Sequence, residues 1–332
     1  MVYEILDLMV ATLFLAVLVD IIFGEPRGFL HIAVISGKWA NILGNKLEKS
    51  KKPVKSGYLI VFLSVIPITI LFSFIFNALY SIPMIYIFFL IFYAIIEKST
   101  FAFTSMGGRI RPIIRSLENG QLEEARVFAS RCVRRDVKDL KEPLLISAAI
   151  ETISEGITDS FVGSLLYFSI FGVLGGLVYR IVNTLDSTFG YRDSKYLKFG
   201  RGSAYTDSVL NYIPARISSA LISVSAYLMN YSNKQTGIRS LLNNVPSRNA
   251  AYSMGTMASV LNLRLEKKGN YIINPKGFEP TLNDLRRALN IFYLSFFLMV
   301  VFIVIPLMII FSFILYEHIY FVFPIKLQVL MG

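Results

Sequence analysis

Glu151, Glu155 and Asp159 follow one another at intervals of four residues. On a helix that spacing stacks three carboxylates along one face, where like charges repel unless something offsets them. One offset is Mg2+, a hard cation held by one or two carboxylates together with substrate phosphates. The other is water over a plain acidic stripe. The neighbours Ala148, Ala149, Ile150, Ile153 and Ile157 are apolar, and the segment runs straight into a longer apolar stretch, which favours the metal. Asp186 and Asp207 are candidates to complete the set. Asp186 follows Asn183-Thr184, which could cap a helix start, so capping and turn chemistry account for these two equally well. The expected metal ligands are therefore Glu151, Glu155, Asp159, Asp186 and Asp207, the first four doubling as candidate catalytic groups.

Phosphates would need cations nearby, and Arg134, Arg135, Arg180, Arg192, Lys198, Arg201 and Arg216 are the basic residues near these acids. Arginine grips phosphate with a two-pronged fork, whereas lysine acts as a point charge. The Lys49–Lys55 cluster reads as loop charge retained on one membrane side. Arg216, placed after Pro214 in a run that turns apolar, reads as a ligand-binding or buried, paired residue. His31 and His318 are the only histidines and Cys132 the only cysteine, which excludes a multi-histidine centre, an internal disulfide and a Cys-rich metal site. No Walker loop, dinucleotide fingerprint or His-Glu-x-x-His motif is present.

The elements that must position these groups are those of a membrane protein. Of the 332 residues 55% are hydrophobic, above the roughly 45–50% of soluble chains. The runs Ile5–Phe23, Tyr58–Tyr80 and Ile291–Tyr316 each approach or exceed the ~20 residues a membrane helix needs. Ile82–Ile96 is shorter and is joined to the run before it by a turn at Ser81 and Pro83, as a helical hairpin. The net charge of +11 gathers in loops beside these runs, which points to anionic lipid and cytoplasmic retention rather than nucleic acid. Basic residues fill both 24–57 and 184–289. Both can be cytoplasmic only if Phe161–Val182, broken by Gly163, Gly172, Gly175 and Gly176, does not cross. That segment is therefore expected to be re-entrant or buried, since interrupted backbone is tolerated at membrane depth only under cover of protein or a cavity.

The fold expected is all-α: a polytopic integral membrane protein with about four transmembrane helices, a Gly-rich re-entrant or buried segment and large cytoplasmic helical loops. The organisation reads as 1–97, membrane helices with a basic loop; 98–160, a water-facing helical segment; 161–289, the Gly-rich segment and polar site region; and 290–332, the last transmembrane helix. Within 98–160, Asn119-Gly120 marks a turn, Leu122-Glu123-Glu124 opens a helix, and Pro143 sits early in the next. Only Asp7 and Asp20 place ionisable groups in or near a span.

Asn183-Thr184-Leu185-Asp186-Ser187, with Pro214-Ala215-Arg216 about thirty residues on, resembles the signature of the CobD/CbiB family of adenosylcobinamide-phosphate synthases. The resemblance extends in order over nearly the whole chain. It takes in Asp20, Gly24, Pro26 and His31; Leu122–Arg126 and Arg135-Asp136; Glu151-Thr152, Glu155 and Asp159; and Tyr179-Arg180. It continues through Gly190-Tyr191-Arg192, Lys195-Tyr196, Gly200, Ala204, Asp207 and Asn211 to Ser247, Asn249-Ala250 and Met257-Ala258. The chain departs from the family pattern at His31-Ile32-Ala33-Val34, Arg134, Gly156, Ser160, Tyr205, Ser208 and Arg248.

The resemblance implies a cell-membrane enzyme with its site on the cytoplasmic side. Its reaction would be ATP-dependent amide formation between aminopropanol, or its O-phosphate, and the free propionate of adenosylcobyric acid, with Mg2+. It implies His31, Arg135, Asn183, Arg192, Asn211, Arg216 and Asn249 as substrate- and phosphate-binding residues, the asparagines serving the corrin's amides. A second copy and other membrane enzymes of the corrinoid pathway are the protein partners to expect, with no nucleic acid. The rivals are a non-enzymatic regulatory membrane relative and a transporter.

Overall fold

The computed structural model describes residues 2–25, 31–133, 135–190, 197–231, 245 and 247–314. Helices carry nearly all of it, since a chain this apolar must satisfy its backbone polar groups internally wherever lipid surrounds it. The strands seen among the described residues, Leu265–Lys267 (β1) and Tyr271–Ile273 (β2), form one antiparallel hairpin with Leu265 opposite Ile273. Two compact units interleave along the sequence: one drawn from 1–102, 163–210 and 300–332, the other from 103–162 and 211–299.

The first unit holds α1 (Val2–Phe23), α2 (Ile32–Leu47), α3 (Pro53–Tyr80), α4 (Tyr86–Lys98), α8 (Gly163–Phe189), α9 (Arg201–Leu210) and α13 (Ile305–Ile314). The α3–α4 hairpin is as expected. Ser81 closes the end of α3, Pro83 opens a short 3-10 turn, and Phe76 meets Tyr93 edge-on at 4.7 Å across the pair. One face of α2 presents Ser36, Ala40 and Gly44, small residues that let helices approach closely. Its partner is α8, whose Phe189 ring fills the space where a Cβ of Gly44 would stand.

The Gly-rich segment turns back on itself. Gly172 sits at φ 64°, ψ −162° inside α8, a conformation open essentially to glycine alone. Tyr167 and Tyr179 stack with ring centroids 5.7 Å apart, and a Cβ on Gly163 would overlap the Tyr179 ring. Sixteen residues of straight helix would separate Gly163 from Tyr179 by about 24 Å. The two arms of α8 therefore run antiparallel, as a re-entrant segment requires. The most apolar 18 residues of Glu142–Phe189 are 78% buried within the protein, against 28–33% for those of the other three stretches that, among the described residues, are long and apolar enough to cross a membrane, Leu6–Phe23, Pro53–Tyr80 and Leu282–Ile314. The protein is a membrane protein, and α4, at 13 residues, is not one of these four.

The second unit contains α5 (Thr104–Glu118), α6 (Leu122–Ser130), α7 (Glu142–Gly156), α10 (Tyr212–Leu228), α11 (Arg248–Val260), the β1–β2 hairpin and α12 (Leu282–Met299). Gly120 makes the turn before α6 at φ 70°, and Pro143 lies in the first turn of α7, both as expected. Exposed positions are frequent over 108–144, where water was expected, but not throughout 98–160. Lys98, Ser99 and Thr100 are fully buried, and so is most of α7 from Leu145 to Glu151, because α7 is apolar on nearly every side. After α7 the chain makes a π-helical turn, Ile157–Val162.

Candidate functional site

Glu151 is buried and its carboxylate is fully engaged. Oε1 accepts from the Arg135 guanidinium at 3.0 Å and from Ser147 Oγ at 2.9 Å, while Oε2 accepts from the Tyr271 hydroxyl at 2.8 Å. Arg135 also donates to the carbonyl of Glu266 at 2.8 Å, and the Glu266 amide donates to Ser147 Oγ at 2.8 Å. Five residues, Arg135, Ser147, Glu151, Glu266 and Tyr271, thus clamp β1 and β2 onto α7. Burial first, and then the Glu151 carboxylate, push the Tyr271 hydroxyl well above the usual tyrosine range, so it remains a donor at any physiological pH. Two of the expected site residues, Arg135 and Glu151, are brought together here, but with each other.

Glu155, one turn on, is exposed, and its charge is felt at Tyr271. Asp159 is half-buried and lies inside the π turn that follows α7. Among the described residues no group of three or more His, Cys, Asp or Glu side chains converges as a metal site. Of the three carboxylates, Glu151 is bound instead by Arg135, Ser147 and Tyr271. Glu155 and Asp159 are two further carboxylates here, the number Mg2+ takes from protein when phosphates supply the rest.

Arg216 lies between two aromatic faces, its guanidinium carbon 3.5 Å from the Tyr212 ring centroid and 4.4 Å from that of Tyr252, and it donates to the Tyr212 carbonyl. The rings belong to α10 and α11. Ser219 Oγ and Thr256 Oγ1, at 2.6 Å, link the same two helices one turn further along, so the helices run parallel with their N-termini side by side. Asn211 precedes α10, and Asn249 stands in the first turn of α11, where Ser247 caps the helix by accepting from the Ala250 amide. Paired helix N-termini beside an arginine attract anions through exposed N–H groups and aligned dipoles.

In the other unit, Asn183, Asp186 and Ser187 lie on the second arm of α8. They do not cap a helix start. The helix continues past them, with Thr184 Oγ1 bonded to the Arg180 carbonyl at 2.7 Å and Thr188 Oγ1 to the Thr184 carbonyl at 2.7 Å. Asn183, Asp186 and Ser187 share one face by their three- and four-residue spacing. The Gly190 amide bonds the Asp186 carbonyl at 2.7 Å, so close that a Cβ at Gly190 would strike it. Asp207 is half-buried on α9, and Arg192 lies outside the described residues.

His31 caps α2, its Nδ1 accepting from the Ala33 amide at 3.2 Å, and turns Nε2 to Glu25 at 3.4 Å. Glu25 also faces Lys98, which meets Asp20 at 2.8 Å with both side chains wholly buried. Glu97, beside Lys98 in sequence, is fully buried too, and its Oε2 packs on Gly176 of the second α8 arm. The count of ionisable groups at or near the spans must therefore include Glu97 and Lys98 as well as Asp7 and Asp20. Lys98, Ser147, Tyr252 and Tyr271 were not among the expected site residues. Tyr271 had a signal: Gly269-Asn270 before Tyr-Ile-Ile is a hairpin pattern.

A family model described as CobD/Cbib protein matches residues 13–295. The chain is 39% identical over 307 residues to the probable cobalamin biosynthesis protein CobD of Thermoplasma acidophilum, covering 92% of this chain and 100% of that protein. Its likeness to the protein of the same description from Thermoplasma volcanium is 40% over 91% and 98% of the two chains. For that of Methanocaldococcus jannaschii it is 33% over 88% and 95%. No solved structure matches.

Proposed function

Since the chain belongs to the CobD/CbiB family of cobalamin biosynthesis, we propose that it is the ATP-dependent ligase that joins aminopropanol, or its O-phosphate, to the free propionate of adenosylcobyric acid. The observation that carries this reading beyond the family is Arg216, stacked between Tyr212 and Tyr252 where α10 and α11 begin. A ligase of this kind must hold phosphates while a carboxylate attacks them.

A carboxylate is a poor acyl donor because oxide would have to leave. In the proposed sequence a propionate oxygen attacks the γ-phosphorus of ATP, the bond to the β-phosphate bridging oxygen breaks, and ADP departs. The amine nitrogen then attacks the acyl phosphate carbon, phosphate leaves with the C–O bond pair, and the nitrogen loses a proton. Arg216 would hold phosphate oxygens with its fork, its plane fixed by the two rings, while the N–H groups opening α10 and α11 add fixed positive potential. Asn249 would turn its amide to the corrin's amide groups. Mg2+, when bound with ATP, would offset charge on the transferring phosphoryl group. Glu155 and Asp159 are the residues that would hold it, Glu151 being spent on Arg135 and Tyr271. The site would face the cytoplasm, where ATP is found.

Protein reconstituted in lipid with adenosylcobyric acid, aminopropanol phosphate, ATP and Mg2+ should release ADP and the amide in equal amounts. Absence of product with the free and phosphorylated forms of aminopropanol and ethanolamine, while a Thermoplasma relative turns over alongside, would favour a non-enzymatic role.

A further inference from the structure

We infer that α10, placed by its loop charge among water-facing segments, is embedded in the membrane and packs its outer face against lipid acyl chains. Its exposed face is apolar, and its buried face carries serines beside Leu221 and Ile222. The serines Ser218, Ser219 and Ser225 are buried and bonded across to Thr158, Thr256 and Ser295, whereas the exposed positions include Ile213 at 58%, Tyr227 at 74%, Val224 and Leu228. A helix facing water buries its large apolar residues and shows polar ones. A helix facing lipid does the reverse, with small residues and interhelical hydroxyl bonds at the protein side.

Charge agrees. From Tyr212 to Leu228 the sole charged residue is Arg216, held against the Tyr212 and Tyr252 rings at the start of the helix. An uncharged outer face matches hydrocarbon, and Tyr212 and Tyr227 stand near its two ends, as the amphipathic rings of membrane interfaces do. A neighbour points the same way. Ser225 Oγ lies 3.1 Å from Ser295 Oγ, and Ser295 belongs to Leu282–Ile314, a stretch long and apolar enough to cross. The last turn of α10 thus sits beside a stretch able to cross the membrane.

The test needs no substrate. Trp39 is the only tryptophan, so Trp39→Phe leaves a silent background into which Val224→Trp is introduced, and the protein is reconstituted in phosphatidylcholine vesicles with or without brominated acyl chains. The expected result is loss of most of the fluorescence in brominated lipid and little quenching by aqueous acrylamide. Tyr227→Trp, an aromatic exchange at a neighbouring position, supplies the same measurement if Val224→Trp does not assemble. Quenching by acrylamide and not by bromine would place the face in water and overturn the inference. Protection from both quenchers would place it under protein, a second copy included, and overturn it equally.

Discussion

Around Arg135 the guanidinium nitrogens lead to protein acceptors: the Glu151 carboxylate and the carbonyls of Glu266 and Leu144. Around Arg216 the cation rests on the faces of Tyr212 and Tyr252 and spends one donor on the carbonyl of Tyr212. Both residues belong to the same compact unit and both were read from the sequence as phosphate ligands. A guanidinium whose fork is filled by a buried carboxylate cannot also grip a phosphate without breaking that pair. One held by its π faces keeps its edge donors for a ligand. The contrast leaves Arg135 holding the hairpin on α7 and is the reason we propose Arg216 as the binding residue.

The sharpest way to break this division is Glu151→Ala. It leaves Arg135 charged, buried and unpaired, and frees Ser147 and Tyr271, so stability should fall by about 3–5 kcal/mol. Denaturation followed by Tyr and Trp fluorescence in detergent would measure it. A variant as stable as the parent would show that the network does not hold the hairpin.

Arg216→Ala should do the opposite. Removing a preorganised cation from developing phosphate charge costs about a hundredfold or more in kcat, while folding stability should change little, the side chain being partly exposed. Arg216→Lys should restore little, since an ammonium lacks the planar fork. Equal activity of Arg216→Ala and parent would remove Arg216 from the site.

Much of this was legible beforehand, and the rest has physical reasons for having been hidden. The apolar runs around α1, α3 and α12–α13 announce themselves by length. The reversal at Gly172 followed from charge sidedness, because two basic loops cannot share a side across a single crossing. The hairpin pair α3–α4 was written in Ser81 and Pro83. The Glu151 network could not be read, since its members lie as far apart as Arg135 and Tyr271, and a carboxylate spacing carries no mark of who neutralises it. The π turn at Ile157–Val162, which carries Asp159, leaves no composition signal. Asn183 and Thr184 looked like caps because polarity begins there, yet α8 continues through them with α2 packed beside it.

Tyr271→Phe separates the hydrogen bond from the ion pair. Losing a donor to a buried carboxylate should cost about 1.5–3 kcal/mol, less than Glu151→Ala. The pH dependence has a definite sign. In the fold, burial and the Glu151 charge hold the Tyr271 proton far above the ordinary range, whereas the unfolded chain releases it near pH ~10. The contribution is fully present below that pH and declines as pH rises above it, because the unfolded state gains by ionising first. The phenylalanine variant should therefore show a shallower alkaline loss of stability than the parent. Parallel alkaline limbs would mean that Tyr271 ionises as readily folded as unfolded.

The smallest structural effect and the finest discrimination belong to Glu155→Gln. Glu155 stands one turn from Glu151 but is exposed, so neutralising it should move stability by no more than about 0.5 kcal/mol. Relief of repulsion with Glu151 and Asp159 would tend to be favourable. If Glu155 shares Mg2+ with the phosphates of ATP, turnover should nonetheless fall steeply, and the Mg2+ concentration for half-maximal rate should rise, because the amide keeps the size but not the charge. A merely solvated glutamate predicts unchanged turnover at every Mg2+ concentration. The paired reading separates this variant from Glu151→Ala, in which activity would be lost along with the fold. A folded, membrane-inserted Glu155→Gln protein with parental activity and parental Mg2+ dependence would leave α7 as scaffold alone and shift the search for metal ligands to Asp186 and Asp207 in the other unit.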